Sequence, residues 1–414
     1  MTRAAPAAHP FAERFAAAAP EERAALVAAF LPAQPWSRPL ADLLWQLRLS
    51  DPAAFDAGLD AAAASAPGHP LVLDLLGWRE VREERHDRVK ALARRALLVA
   101  RTPQAWRLRL AHSELVAPSP DPEAREANWR LALPGAAPGL ARLALLAQRA
   151  IAEGGSPDLS AFEAELARAS LALAAPGDGA AGQGARGGVL AALSRVLRPT
   201  PDPAAPPPNA PDSAAARARL AEILALLRAA RDVALVGNAP TLAGSGAGRE
   251  IDRHDLVLRC NYPKLKGFRA DAGGRADLVL FHGAKRSILP KLLARDPRYP
   301  ALPALSSGPT KPPLPPPPDD EPRPAAPEAL ERLVDRLCYA ERSTGLFGAV
   351  LIGLVLGKPL RLYGFDFFRP GGAGHYYGKA LAAPFHDLAY ERWFLTRALP
   401  ALRPAVTLHP SAGG

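Results

Sequence analysis

Hydrophobic residues recur every three or four positions from residue 11 to residue 174. Segments such as PEERAALVAAFL, HPLVLDLLGWREV and PGLARLALLAQRAIAEG place their apolar residues on one side of a helix, and Pro or Gly separates successive segments. The pattern predicts an all-α helical array over residues 1–175. Two arrangements remain open, a helical-repeat solenoid with a docking surface and a plain helical bundle.

A tract rich in Pro and Gly follows over residues 176–211. It carries too little apolar surface to offset the entropy that ordering would cost, so we expect a linker there and a second domain over residues 212–414. A second Pro-rich run, residues 297–327, is expected to be a flexible insertion in that domain. Its PPLPPPP string would alternatively suit a partner that binds polyproline.

The periodicity changes in the second domain. VALVG, LVLRCN, DLVLFH and RLYGF are short apolar segments that predict buried strands. Helices are predicted between them, one capped by Asp212 or Ser213 and running through Arg231, and one that begins at Ser343 and ends at Gly357. Strands that alternate with helices predict a Rossmann-like α/β fold with a mostly parallel sheet, covered on both faces. A ligand should then lie at the carboxyl ends of the strands.

Composition limits the partners and the location. The net charge is +10, but Arg is interleaved with acids and aromatic residues make up only 6%, so we expect no nucleic-acid partner. Cys260 and Cys338 occur in no CxxC spacing, which gives no sign of a zinc site and fits a reducing compartment. Without a secretory signal or a membrane-length apolar stretch, we expect a cytoplasmic protein. A peripheral position at the inner face of the membrane, or a protein partner held by the N-terminal helices, stays open.

A glycine-rich loop follows the first predicted strand. Gly237 would let the backbone turn tightly, and Asn238 then places an amide at the end of the strand. The GSGAG string lacks the GxGxxG spacing of dinucleotide-binding proteins, and no acid follows where one would bind a ribose. Taken alone, the loop is therefore a structural turn.

The start of the long apolar helix carries Ser343, Thr344 and Gly345. The first N–H groups of a helix and the positive end of its dipole suit a phosphate or a carboxylate. An isolated Ser-Thr pair would instead be a simple helix cap, and both roles can hold together.

Two histidine strings follow, HYYG from His375 and HDLAYE from His386. A lone histidine is more often structural than catalytic, and that is our interpretation of His282 and His409. The strings HYYG and HDLAYE are different from these two histidines, because their order in the chain and their distance from YGF suggest a function.

These strings together resemble the sialyl motifs of the sialyltransferases of glycosyltransferase family 29. The long motif corresponds to VGN, SGxGREIDxHDLVLRxN and GFRADAGGRADL, between Val233 and His282. The span from STG to YGF is similar to the short motif, and HYY and HxxxxE follow in the family's order. The resemblance covers about residues 213–414 and implies a Rossmann-like variant of the GT-A glycosyltransferase fold. Val233 and Gly357 stand where the animal enzymes have a cysteine pair, and loss of that pair fits a protein that works in a reducing cytoplasm. We expect a bacterial-type member of the family.

The resemblance implies a role for each matching residue. Asn238 and Asn261 would contact the CMP part of the donor. His386 would deprotonate the acceptor, a task that suits an imidazole with its ordinary pKa of about 6.5, and His375 would face the donor phosphate. Glu391 lies five positions after His386, and two roles stay open for it, orienting the imidazole and capping local structure. The rest of the donor site would consist of Gly237, Ser343, Thr344, Gly345 and Tyr376.

The implied activity is an inverting, metal-independent transfer of sialic acid, or of a related keto-sugar acid such as Kdo. The donor is a CMP sugar, the acceptor is a glycan hydroxyl that belongs to a surface polysaccharide or a glycoprotein, and no cofactor takes part. No Asp-x-Asp pair follows a strand to hold a metal. Two departures from the family's pattern are Ala239 in place of the Ser of GNS and Gly378 after HYY. The alternatives are a noncatalytic scaffold with a helical docking domain and a dinucleotide-binding oxidoreductase.

Overall fold

The computed structural model describes most of the two predicted domains. The chain divides into two compact units, Met1–Pro134 with Ala382–Pro384, and Gly135–Leu381 with Phe385–Gly414. The predicted linker at 176–211 lies outside the described residues. These are 17–30, 51–99, 103–133, 139–174, 214–282, 289–307, 343–367, 375–377 and 386–409, with single positions at 14, 44, 47, 330, 333, 334 and 337.

All the regular structure described in the first unit is helical. Asp51 and Asp121 cap two of its helices by accepting hydrogen bonds from first-turn amides. Phe55 and Trp78 pack edge to face in its core, with ring centroids 5.9 Å apart. The helices are α1 (Pro20–Phe30), α2 (Pro52–Ser65), α3 (Pro70–Arg82), α4 (His86–Val99), α5 (Gln104–Val116) and α6 (Pro122–Ala132).

Two helices of the predicted N-terminal domain belong to the second unit instead. They are α7 (Leu140–Ala152) and α8 (Ser160–Ala174). Glu163 of α8 forms a bidentate ion pair with Arg403, whose Nη1 and Nη2 lie 2.6 and 2.9 Å from the carboxylate oxygens. Periodicity identifies the apolar face of a helix but not the surface which that face covers, so the sequence could not assign these two helices.

A sheet of six described strands forms the centre of the second unit. The strand order is β4-β3-β2-β1-β5-β6, and every neighbouring pair is parallel. The order reverses between β1 and β5, which creates a crevice at their carboxyl ends. The four predicted strands are confirmed, and β4 and β6 were missed. The strands are β1 (Val233–Val236), β2 (Leu256–Cys260), β3 (Leu278–Phe281), β4 (Ala304–Ser306), β5 (Leu360–Tyr363) and β6 (Val406–Leu408).

The remaining helices of the second unit are mostly short. Two of them continue in π-helical form, over Val350–Val355 and Phe394–Ala398. No helix in the part of the chain that the structure describes is long and apolar enough to cross a bilayer. The helices are α9 (Ala214–Ala229), α10 (Gly248–Arg253), α11 (Arg269–Ala272), α12 (Leu289–Leu293), α13 (Thr344–Ala349), α14 (Leu388–Trp393) and α15 (Leu399–Leu402).

Both faces of the sheet are covered, as predicted. On one face Gly348 of α13 lies so close to the sheet that a Cβ atom there would be 2.4 Å from Leu280 and 3.0 Å from Leu235. On the other face Ile251 of α10 packs in one core cluster with Val257 of β2. A strand buried on both faces has no need of polar alternation, which explains the continuous apolar runs in the sequence.

The Pro-rich run begins with ordered structure, contrary to our expectation of a flexible insertion from residue 297. A helical turn at Tyr299–Ala301 precedes β4, which pairs with β3. The carbonyl of Pro303 accepts a hydrogen bond of 3.0 Å from the N–H of Val279. Proline is tolerated there because β4 ends the described strand order, so one of its sides needs no donor. Residues 308–327 of the run lie outside the described residues.

Candidate functional site

Polar residues from several strands meet at the carboxyl edge of the sheet. Asn238 comes shortly after β1, Asn261 directly after β2, and Ser307 directly after β4. Phe365 follows β5, on the other side of the crevice. Because the strands are parallel, these positions share one edge, which is where open α/β sheets bind their ligands.

Asn238 has a buried acceptor with no donor from the described residues. Its Nδ2 donates to the carbonyl of Cys260 at 2.8 Å, and its main-chain carbonyl accepts from the N–H of Tyr376 at 3.0 Å. Only 8% of the residue is exposed, yet Oδ1 accepts no hydrogen bond from the part of the chain described. An unsatisfied buried acceptor costs about 1–3 kcal/mol, and a functional role is one of the explanations for such a group. The atom is therefore suited to a donor on a ligand.

Asn261 connects the long motif to helix α13. Its Oδ1 accepts from the N–H of His282 at 3.0 Å, and its Nδ2 donates to Oγ1 of Thr344 at 3.3 Å. Ser307 donates to the same Thr344 oxygen at 3.3 Å. Asn261 and Tyr262 both adopt left-handed backbone angles, with φ of 60° and 53°. Such angles are costly for residues other than glycine and are typical of functional sites.

Ser343 forms its hydrogen bonds within the chain in this structure, and its predicted contact with the donor stays a prediction. Its N–H and its hydroxyl donate to the two carboxylate oxygens of Glu391, at 2.6 and 2.7 Å. The hydroxyl also caps α13 by accepting from the N–H of Leu346 at 3.0 Å. The buried Glu391 carboxylate thus supplies the negative charge that the helix N-terminus attracts. Of the two roles left open for Glu391, capping describes these contacts.

Two glycines permit close approaches around β5. A Cβ atom on Gly237 would lie 2.4 Å from the carbonyl oxygen of Gly364, and one on Gly345 would lie 2.4 Å from the ring of Phe365. We expected Gly237 to provide a tight turn. The structure instead requires glycine there because the chain segments that follow β1 and β5 nearly touch.

The HYY string packs against the strand-end loops. Burial raises the pKa of Tyr376, and its protonated hydroxyl donates to the carbonyl of Lys264 at 3.1 Å. The ring of Tyr377 stacks on His375 with centroids 5.2 Å apart. The guanidinium of Arg295 lies 5.2 Å from the centroid of the Tyr377 ring. These contacts hold the two tyrosines that follow His375, which is itself half-buried.

His386 lies at the start of α14. It directly precedes Asp387, whose carboxylate caps the helix by accepting from the N–H of Tyr390 at 3.0 Å. His386 itself is half-buried. Because Glu391 in the same helix binds Ser343, the beginning of α14 is attached to the beginning of α13.

Several charged residues of the long motif hold its loops together, which the sequence analysis missed. Arg259 is fully buried in β2, and its guanidinium donates to the carbonyls of Ala272 and Arg275 at 2.6–2.8 Å. The carboxylate of Asp252 accepts from the backbone N–H groups of Gly274 and Arg275. A charged residue inside an otherwise apolar strand was the signal that could have revealed this role.

Acidic side chains near the sheet form hydrogen bonds and ion pairs with other groups of the same chain. Asp277 accepts from the N–H of Val257 and from Arg275, and the hydrogen bond from Arg231 lowers the pKa of Asp255 to about 2. Over the described ranges, no group of three or more His, Cys, Asp or Glu side chains could hold a metal ion.

Comparison with known proteins identifies the segment around Asn238 and Asn261. Residues 226–300 match the model of glycosyltransferase family 29 (sialyltransferase). We call residues 226–300 the family 29 segment. Sialyltransferase-like protein 2 of Oryza sativa subsp. indica is 50% identical over 48 residues, which are 12% of this chain and 12% of that protein. The match thus spans about an eighth of the length of this curated relative.

Two solved structures are similar to the chain at a low level. A mammalian sialyltransferase in complex with Gal-beta-1-3GalNAc-ortho-nitrophenol is 19% identical, with 50% of this chain and 81% of that chain covered and a TM-score of 0.32. A second mammalian sialyltransferase structure is 20% identical, with 49% and 80% covered and a TM-score of 0.32. The family match and the rice relative support the prediction of a sialyltransferase. The bacterial-type assignment stays a prediction.

Proposed function

We propose that the protein transfers sialic acid, or a related keto-sugar acid such as Kdo, from a CMP donor to a glycan hydroxyl. One observation carries the proposal: the family 29 segment holds Asn238 at the reversal between β1 and β5, with a buried Oδ1 that accepts no hydrogen bond from the described residues. This is the position where open α/β sheets bind nucleotides. The fold that goes with this function is a variant of GT-A.

The contacts of Asn238 indicate which part of the donor it would bind. Its Nδ2 is engaged by Cys260, so the atom available to a ligand is an acceptor. Phosphate oxygens at neutral pH also accept, whereas ribose hydroxyls and the cytosine amino group donate. We therefore assign Asn238 to the nucleoside and the region of His375 to the phosphate. Thr344 and Gly345 would line the site between them.

The proposed reaction is a single displacement with inversion. His386 accepts the proton of the acceptor hydroxyl while the oxygen of that hydroxyl bonds to the anomeric carbon of the donor sugar. The bond from that carbon to the CMP phosphate oxygen breaks, and CMP leaves with the electron pair. His375 stabilises the charge that develops on the departing phosphate. Glu391 acts indirectly by fixing the helix that follows His386.

A donor screen tests the proposal. The full-length protein is incubated with CMP-sialic acid or CMP-Kdo and a panel of β-galactosides, and products are read by mass spectrometry. We expect one donor to give an acceptor product together with an equal amount of CMP. Absence of both product and calorimetric CMP binding would favour the noncatalytic scaffold. Thermal stabilisation by NAD but not by CMP would favour the oxidoreductase.

Removal of divalent ions should leave most of the transfer rate intact. In the proposed reaction His375 and hydrogen-bond donors of the chain stabilise the negative charge on the departing CMP phosphate. A divalent ion bound to that phosphate is therefore not needed. The measurement is the rate of CMP release in excess EDTA, with added Mg²⁺ or Mn²⁺ as the comparison. A rate that collapses in EDTA and returns with either ion would contradict metal independence.

A further inference from the structure

Gln148 lies outside the family 29 segment but contacts the helix that follows His386. It is 1% exposed, and it belongs to α7 in the second unit. Its Nε2 donates to the carbonyl of Leu337 at 3.2 Å, and its Oε1 accepts from the hydroxyl of Tyr390 at 2.8 Å. The Tyr390 side chain is fully buried. The amide therefore bridges two parts of the second unit that are remote in sequence.

Tyr390 lies in the first turn of α14, and the proposed base His386 directly precedes the residue that caps this helix. Its N–H closes the cap with Asp387, the residue after His386. The next residue, Glu391, binds Ser343 at the start of α13. The first turn of α14 is thus attached by polar contacts to two different helices, to α13 through Glu391 and to α7 through Tyr390.

Small displacements of this turn would matter for transfer. A general base must lie within hydrogen-bonding reach of the proton that it accepts. A misplacement of about 1 Å can lower a rate about 100-fold. A buried amide that accepts from a buried hydroxyl defines the position of that hydroxyl closely, because neither group can bond to water instead.

We propose that Gln148 is a positioning residue for the transfer reaction, holding Tyr390 and thereby setting the position of His386. The inference rests on the proposed function. It makes α7 a functional part of the proposed transferase unit, a role that neither arrangement left open for the N-terminal helices included. Sequence resemblance could not indicate this residue, since the family 29 segment begins at residue 226.

Kinetics of Gln148→Leu test the inference. The substitution keeps a similar volume but removes both hydrogen bonds of the amide. We expect kcat to fall about 10- to 100-fold, while the Kd for CMP measured by calorimetry stays within about twofold of wild type. Tyr390→Phe removes the same contact from the other side and should lower kcat similarly. In the double variant the two losses should not add in full, because both single changes remove the hydrogen bond between Tyr390 and Gln148.

Glu163→Gln is the matched control. It weakens the ion pair with Arg403 from the neighbouring helix α8, so it should lower the melting temperature while kcat remains at the wild-type value. If Gln148→Leu does not fold, Tyr390→Phe decides the question at an unchanged melting temperature. If the wild-type protein transfers no sugar from either CMP donor, the proposed function is wrong. Active wild type with full kcat in both Gln148→Leu and Tyr390→Phe would overturn only the role of Gln148.

Discussion

His386→Ala is expected to abolish transfer while leaving CMP affinity nearly unchanged. Loss of a general base typically lowers a rate by about two to four orders of magnitude. The helix start should survive the change, because its cap is the side chain of Asp387 and not the imidazole. Turnover is measured as CMP release at saturating donor, and affinity is measured by calorimetry with CMP.

The dependence of rate on pH gives the same prediction a second readout. An imidazole accepts a proton only in its neutral form, so the wild-type kcat should fall towards acid pH. The residual rate of His386→Ala should lack that decline. His409→Ala is the control, since His409 lies in the same unit, stacks on Tyr363 with ring centroids 4.9 Å apart and has no role in the proposed reaction. If His386→Ala keeps most of its turnover, the assignment of the base is wrong.

Asn238→Ala is expected to weaken CMP binding about 10- to 100-fold. The change removes the ligand contact of Oδ1 and the hydrogen bond of 2.8 Å that fixes the loop to Cys260. Because we assign Oδ1 to the nucleoside, cytidine should lose as large a factor in affinity as CMP does. Calorimetric titration of both ligands against the variant and the wild type gives the comparison.

Asn128→Ala provides the matched control for Asn238→Ala. Asn128 is also a buried asparagine, but it lies in α6 of the first unit and bonds to Arg94 and Ser119. Its removal should lower stability and leave CMP affinity intact. Loss of CMP affinity with unchanged cytidine affinity in Asn238→Ala would reassign the side chain to the phosphate. Unchanged affinity for both ligands would remove Asn238 from the donor site.

The local sequence was sufficient for the elements that carry their own signal. Four short, mostly apolar runs predicted β1, β2, β3 and β5, because parallel strands buried on both faces need few polar positions. The Ser343 cap and the end of its helix near Gly357, where φ is +62°, also followed from local chemistry. The strings around Asn238 and Asn261 predicted the family that the comparison supports.

Short elements with mixed signals could not be predicted. Strand β4 has only three residues, follows Pro303 and ends at Ser306, so the Pro-rich composition masked it. Strand β6 is equally short and lies at the other end of the described strand order. Neither contains enough apolar residues to stand out, and each exists because a neighbouring strand supplies its hydrogen bonds.

The sequence by itself thus determined the parallel sheet, the helices that cover it and the order of the candidate site residues. Only the tertiary structure decided that Ser343 gives its donors to Glu391, 48 positions away, and that Gln148 accepts from Tyr390, 242 positions away. The physical reason is that the residue type determines which hydrogen bonds a side chain can donate or accept. Its partner depends on which distant segments the topology brings within about 3 Å.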